Sequence, residues 1–268
     1  MKQNKTLVMG FFDIGRSKWP SFQRSLEQYL QNGKRNMSLN ESMVIFIEPK
    51  FLDFVKESRK KFAKKTLVIP IRLEDLPKYK LLPKIKQIMD SRQFKQGIKD
   101  PTVPEMWNPS YVLVMWSKTD LLHKAIKMNP FGSTHFAWLD FGMPDFSQLN
   151  AFPTKFSPKV KFLCRTEPQK EDLDRVKMCK SQTNRFAGGF FSGRYDYLLD
   201  LVKRFDHETN ICLSLNVVDS DQTIFSNVYL QAKHIFELYT GDWGQIFTNY
   251  NQGKKVSPSS VSVLLHFG

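Results

Sequence analysis

Four short segments set acids, cations, aromatics and paired glycines close enough to bind a phosphorylated ligand. The first, Phe11-Phe-Asp-Ile-Gly-Arg16, directly follows an apolar run. At the carboxyl end of a parallel strand, an aromatic ring can stack on a base, a carboxylate can hold ribose hydroxyls and an arginine can meet phosphate, which casts Phe12, Asp13 and Arg16 as nucleotide-binding residues. A plain turn, capped by Asp13 with Arg16 in solvent, is the competing reading. The second, Trp138-Leu-Asp-Phe-Gly142, delivers Asp140 at the end of another apolar run. A carboxylate there can hold a divalent metal on a diphosphate and neutralise a leaving group's charge, or it can merely cap the next turn. Asp-Phe-Gly is also the kinase metal-binding triplet, but no His-Arg-Asp loop or glycine-rich kinase loop accompanies it, and a kinase is excluded.

The third segment is Gly188-Gly-Phe-Phe-Ser-Gly193. Gly188 and Gly189 would let backbone amides approach a ligand and Phe190 would offer an apolar face to a sugar ring; a β-bulge tucked into the core fits the same residues. In the fourth, Asp219-Ser-Asp-Gln222, one acid suffices to cap a helix, whereas Asp219, Asp221 and Gln222 together can bind or act on sugar hydroxyls. Asp242 and Trp243, in Gly241-Asp-Trp-Gly244, join the candidate sugar or acceptor contacts. Lys118, on a helix preceding the Asp140 strand, either points a compact charge toward a diphosphate or lies in solvent. The five histidines share no metal-ligand spacing, and neither a Gly-x-Ser-x-Gly elbow nor a Cys/His pairing is present, which removes the common hydrolases.

The elements that must carry these residues read as β-α-β-α-β over the first seventy positions. Thr6 to Phe12 is a strand covered on both faces; Pro20 opens a helix with Phe22, Leu26, Tyr29 and Leu30 on one side, ending near Asn32-Gly33; Met43 to Ile47 and Thr66 to Ile71 are strands flanking a helix with Phe51, Phe54, Val55 and Phe62 inward. Such a succession argues for a parallel sheet with helices on its faces. Glu74 to Pro104 reads as short helical pieces and loop. Asn108-Pro109 starts a helix, although Tyr111 to Trp116 also suits a strand. His135 to Leu139 and Val160 to Cys164 are further strands, Pro168 to Cys179 a charged surface helix, Arg194 to Phe205 a helix, Asp219 to Thr223 the start of another, and His234 to Tyr239 a late strand. No repeat or linker interrupts the chain, so residues 1–268 read as a single domain, with 1–142 a nucleotide-binding half and 143–268 a donor-sugar and acceptor half.

The 268 residues are 41% hydrophobic, enough for a real core, and their net charge of +14 favours anionic partners. Ten of those charges fall in residues 50–99. Three cysteines without paired spacing suit a reducing compartment. No signal peptide is recognisable and no run reaches the ~18–20 apolar residues of a membrane span, which predicts a cytoplasmic protein, peripheral at a membrane if its basic face meets anionic lipid.

Taken in order, Phe-Phe-Asp-Ile-Gly-Arg at 11–16, Trp-Asn-Pro-Ser-Tyr at 107–111, Ser-Lys at 117–118, Asn-Pro-Phe at 129–131 and Trp-Leu-Asp-Phe-Gly at 138–142 resemble the HtrL/YibB-like family, which looks like a branch of the GT-A glycosyltransferases. Gly-Gly-Phe-Phe-Ser-Gly at 188–193 is separately similar to the Gly-Gly-Phe-Phe-Gly-Gly segment of blood-group-type transferases. The resemblance implies a GT-A-like, Rossmann-like α/β domain with a mixed, mostly parallel sheet flanked by helices. It implies a nucleotide-sugar donor, most often a uridine diphosphate sugar, held by Phe12, Asp13 and Arg16, and a glycan or glycoconjugate acceptor. It also places Asp140 at the usual Asp-x-Asp position for Mn²⁺ or Mg²⁺. Two departures stand out: residue 142 is Gly where a second Asp is usual, and Gln222 follows Asp221 where related transferases have Asp-Glu. Since Gln is neither base nor nucleophile, Asp221 or Asp219 is left as the catalytic candidate. A non-enzymatic nucleic-acid binder built on the 50–99 surface is the alternative class, disfavoured because helical spacing turns its aromatics inward. A degenerate transferase that binds a sugar nucleotide without turnover is the third reading.

Overall fold

The computed structural model describes residues 3–144 and 148–252. Seven strands form one sheet: β1 (Lys5–Phe11), β2 (Ser42–Ile47), β3 (Thr66–Pro70), β4 (His135–Leu139), β5 (Val160–Cys164), β6 (Phe186–Arg194) and β7 (Phe236–Thr240), in the order β3-β2-β1-β4-β6-β5-β7. All pairings are parallel except those of β6, which runs against both β4 and β5. This is the mixed, mostly parallel α/β sheet that the sequence predicts. Strands before residue 142 form one side of the sheet and strands after it the other.

Ten helices flank the sheet among the described residues: α1 (Leu26–Asn36), α2 (Leu52–Arg59), α3 (Leu82–Asp90), α4 (Arg92–Lys95), α5 (Pro104–Trp107), α6 (Pro109–Met128), α7 (Arg175–Ser181), α8 (Tyr195–Ser214), α9 (Asp221–Gln231) and α10 (Thr248–Gln252). Alternation along the strands divides the core into two layers. Val8, Val44, Phe46, Phe136, Trp138, Phe162 and Phe191 face one side with α3, α6, α8 and α9; Leu7, Met9, Ile45, Ile47, Leu139 and Phe190 face the other with α1, α2 and α10. Each buried Phe, Leu, Ile or Val contributes about 1.5–3 kcal/mol, so both faces must be covered, which explains why the inner strands β1, β2 and β4 are mostly apolar without polar alternation.

Three elements differ from the sequence expectation. The first helix starts at Leu26 rather than Pro20, because Ser25 and Gln28 exchange a capping box: Gln28 N–H donates to Ser25 Oγ and Ser25 N–H to Gln28 Oε1, each at 3.1 Å. Phe22 consequently lies outside it and is 52% exposed. Nor does the helix end at Gly33, which is buried within it; a Cβ there would sit 2.2 Å from the Phe141 ring, so glycine serves close packing rather than termination. Residues 168–179 split into a short 3₁₀ turn, Lys170–Leu173, and α7, which Asp174 caps. Tyr111 to Trp116 is helical, because Asn108 Oδ1 accepts from the Tyr111 N–H and Pro109 takes the first helical position. The glycine-rich 186–193 segment is strand β6, with an irregular register against β5 between Phe162 and Cys164.

Candidate active site

A cavity of about 740 Å³ opens at the carboxyl ends of β1 and β4, where open parallel sheets bind ligands. Lys118 of α6, on its wall, is buried at 2% exposure. The ammonium lies 3.0 Å from Asp140 Oδ1, just after β4, and 2.9 Å from Asp221 Oδ2, the first residue of α9; it also donates to Gly188 O of β6 at 3.2 Å. Trp138, one strand position pair before Asp140, turns its indole N–H onto Asp140 Oδ1 at 2.6 Å. Burial alone would lower the Lys118 pKa, but Asp140 and Asp221 outweigh it and the net displacement is upward, so the ammonium stays charged. Burial raises Asp221 to about 6, Lys118 opposing and Asp140 assisting.

The glycine pair makes this cluster possible. A Cβ on Gly188 would meet Asp221 Oδ2 at 2.8 Å, and one on Gly189 would meet Met143 Cε at 2.5 Å and Trp243 at 3.1 Å. Gly188, Gly189, Gln222 and Trp243 all line the cavity.

Phe12, Asp13 and Arg16 also line the cavity. The Asp13 carboxylate caps its turn, accepting from the Gly15 N–H at 3.2 Å and from Lys50 Nζ at 3.1 Å, and it also lies on the cavity wall. Arg16 is not a solvated side chain. Its Nε donates to Phe22 O at 2.8 Å, Nη1 donates to the Tyr29 hydroxyl, and the guanidinium lies 5.2 Å from the Trp19 ring and 5.6 Å from that of Tyr29. Arg24 approaches the same Tyr29 ring at 5.1 Å and donates to Gly142 O at 3.0 Å.

Three of the expected residues stand outside the cavity lining. Asp219 is consumed by its own helix entrance, accepting from the Ser220 N–H and Thr223 Oγ1 at 2.7 Å each, and burial pushes its pKa up to about 8. Phe190 packs edge-on against Phe152, Phe247 and Tyr250 on the opposite face of the sheet, because strand alternation turns it away from its glycine neighbours. Asp242 pairs with Arg165 at 3.1 Å and caps the Trp243 N–H. Residues that the sequence reading missed include Arg24, Tyr29, Trp19 and Arg165, all on the cavity wall. Arg165 follows β5 directly, so the strand-end rule could have found it; the other three sit on α1 or the loop before it and carried no local signal.

The divalent metal expected at Asp140 meets a donor set that does not suit it. Among the described residues no three His, Cys, Asp or Glu side chains converge. Asp140 Oδ1 already accepts from Trp138 and lies 3.0 Å from Lys118 Nζ, Oδ2 accepts from Lys118 at 3.3 Å, and Gly142 stands where a second carboxylate would be needed. A cation ligated by Asp140 on this side would also meet the Lys118 ammonium; one unit-charge pair at 4 Å costs about 4 kcal/mol at an effective dielectric of ~20, and a divalent ion doubles it.

Sheet, cavity and charge cluster define an open α/β protein with a polar cavity at its strand ends. The chain belongs to the family described as "Bacterial protein of unknown function (HtrL_YibB)", matched over residues 3–252. It is 27% identical over 266 residues to Protein HtrL of Escherichia coli (strain K12), covering 92% of each chain. Among solved structures it resembles mouse xyloside xylosyltransferase 1 in its apo form, at 13% identity and a TM-score of 0.42 over 87% of this chain and 84% of that one. It also resembles the 4-diphosphocytidyl-2C-methyl-D-erythritol synthase of Anaerococcus prevotii DSM 20548, at 8% identity and a TM-score of 0.44 over 94% and 95% of the two chains. Likenesses this loose carry no weight for the chemistry.

Proposed function

We propose that the protein is a glycosyltransferase that moves a sugar from a nucleotide-sugar donor, a uridine diphosphate sugar in the first instance, to a hydroxyl of a glycan or glycoconjugate. The observation that carries this reading is the convergence of Asp140, Asp221 and Lys118 on one cavity that Phe12, Asp13 and Arg16 also line. The base and ribose lie against Phe12 and Asp13, the diphosphate near Arg16, and the sugar over Gly188 and Gly189 beside Gln222 and Trp243. The acceptor oxygen forms a bond to the anomeric carbon while the bond from that carbon to the phosphate oxygen breaks. The electron pair leaves on the nucleoside diphosphate, and the hydroxyl proton passes to Asp221. Acid at about 6 suits a base that must be ionised near neutrality.

The 50–99 surface stands apart from this chemistry. Its exposed lysines are where a charged glycan or an anionic membrane would approach. None of the described helices is long and apolar enough to cross a membrane.

Calorimetry with nucleoside diphosphates tests the reading; no uptake of any of them at millimolar concentration would end it. Asp140→Asn is expected to abolish transfer, followed by release of nucleoside diphosphate, without shifting the melting temperature. Full activity in that variant would remove Asp140 from the site.

A further inference from the structure

We propose that the Lys118 ammonium occupies the seat of the divalent cation, and that this site binds its nucleoside diphosphate without any metal ion. The inference rests on the nucleotide-sugar reading above and goes beyond it. Lys118 Nζ bridges two carboxylates from different elements, at 3.0 Å to Asp140 and 2.9 Å to Asp221, the position in which a cation ties a strand end to the opposite wall of a cavity. Its ammonium donates to Asp140 Oδ2 and Gly188 O and forms an ion pair with Asp221, so it acts on a diphosphate as a fixed charge rather than by reaching out to it.

One positive charge between two carboxylates does not balance a diphosphate, and the cavity supplies the rest from arginines. Arg16 and Arg24 both line it and direct their hydrogen bonds to neutral oxygens: Phe22 O and the Tyr29 hydroxyl for Arg16, Gly142 O for Arg24. Neither forms an ion pair among the described residues, whereas Arg165 is paired with Asp242 and Asp13 with Lys50. Two uncancelled guanidiniums held against one aromatic ring are a rigid anion site of the kind that suits phosphate oxygens. Metal and lysine also exclude each other here, since a cation on Asp140 must displace or repel Nζ. Gly142 is the counterpart of this exchange: a Cβ at 142 would meet the Tyr29 ring at 2.4 Å, so a second carboxylate cannot be added without disturbing the ring that holds both arginines.

The test is calorimetry of uridine, cytidine, guanosine and adenosine diphosphates, first with EDTA and then with Mn²⁺. In the wild type, affinity for the bound nucleotide is expected to differ by less than about tenfold between the two conditions. A gain of about tenfold or more from Mn²⁺ overturns the inference and leaves the glycosyltransferase reading intact, whereas no uptake in either condition overturns both. Lys118→Ala leaves two carboxylates uncompensated; it is expected to lose about tenfold or more in EDTA and to recover with Mn²⁺, which the freed Asp140 and Asp221 can then hold. Unchanged metal-free affinity in that variant overturns the inference. Should Lys118→Ala fail to fold, Lys118→Arg keeps the charge and is expected to bind in EDTA; loss of metal-free binding in folded Lys118→Arg overturns it equally.

Discussion

Two aspartates separated by one serine do different work because their surroundings differ. Asp221 faces the cavity and Lys118; Asp219 turns back into the chain onto Ser220 and Thr223. With Asp221 displaced to about 6, the transfer rate is expected to fall roughly tenfold per pH unit below that value, as the base becomes protonated; a pH profile flat from 5 to 8 would remove Asp221 from the proton's path. Asp219 bears on stability instead. Its pKa is near 8 in the folded chain against about 4 when unfolded, so the folded state holds the proton more tightly. Its favourable contribution is full below about pH 4 and is lost as pH rises through 8. Asp219→Asn, which cannot ionise and can still bond Ser220 and Thr223, is expected to be more stable than the wild type at pH 8 by at least ~1 kcal/mol and to flatten that decline in a denaturant series.

At the level of elements, helix α1 depends on what lies beyond it. Residues 20–33 carry a helical apolar spacing, and an Asn-Gly pair usually marks an end. The helix nevertheless begins at Leu26 and runs through Gly33 to Asn36, whose buried side chain donates to Phe141 O and Met143 O at 3.1 Å each. Gly33 admits the Phe141 ring, itself stacked on Phe11 at 4.8 Å, so the helix fixes the loop that follows Asp140. Gly33→Ala is therefore expected to destabilise by about 1–3 kcal/mol and to weaken nucleotide binding, although alanine ordinarily favours a helix. A rise in melting temperature for that variant would show that the ring can move aside. The strands β1, β2, β4 and β5 are legible almost to the residue because double-sided burial leaves a mostly apolar run, and the half-buried edge strand β3 is legible from its apolar Leu67, Val68 and Ile69. Strand β6 was not assigned, because its glycines conceal a strand whose neighbours need room for Asp221, Met143 and Trp243.

For the molecule as a whole, the net charge of +14 and the cavity are separate properties. Lys60, Lys61, Lys64 and Lys65 are all exposed on the turn leading into β3, the edge strand of the sheet. Lysines beside an edge discourage strand-to-strand association, and near an anionic bilayer each contributes about 1 kcal/mol of attraction. Reversing these four to Glu is expected to abolish cosedimentation with phosphatidylserine vesicles while changing nucleoside diphosphate affinity by less than about threefold. Equal vesicle binding by wild type and variant would assign the lysines to edge protection alone.

Residue types and short-range spacing by themselves determined the parallel β-α succession, the strand-end positions of Asp13 and Asp140, and the division of charge between the 50–99 surface and the remainder. These follow from local patterns of burial and from the rule that parallel strands present ligands at one end. The partnership of Lys118 with Asp140 and Asp221, the burial of Phe190 on the far face and the withdrawal of Asp219 were decided only by tertiary structure. The first two depend on contacts between segments 22 to more than 100 residues apart, which no spacing along one segment contains; the third rests on local bonds to Ser220 and Thr223, and only the fold shows which of the two acids at that helix entrance they take up. The surroundings of Asp140 turn on the same point: its pairing with Lys118, 22 residues away, is set by the fold and not by the spacing around position 140.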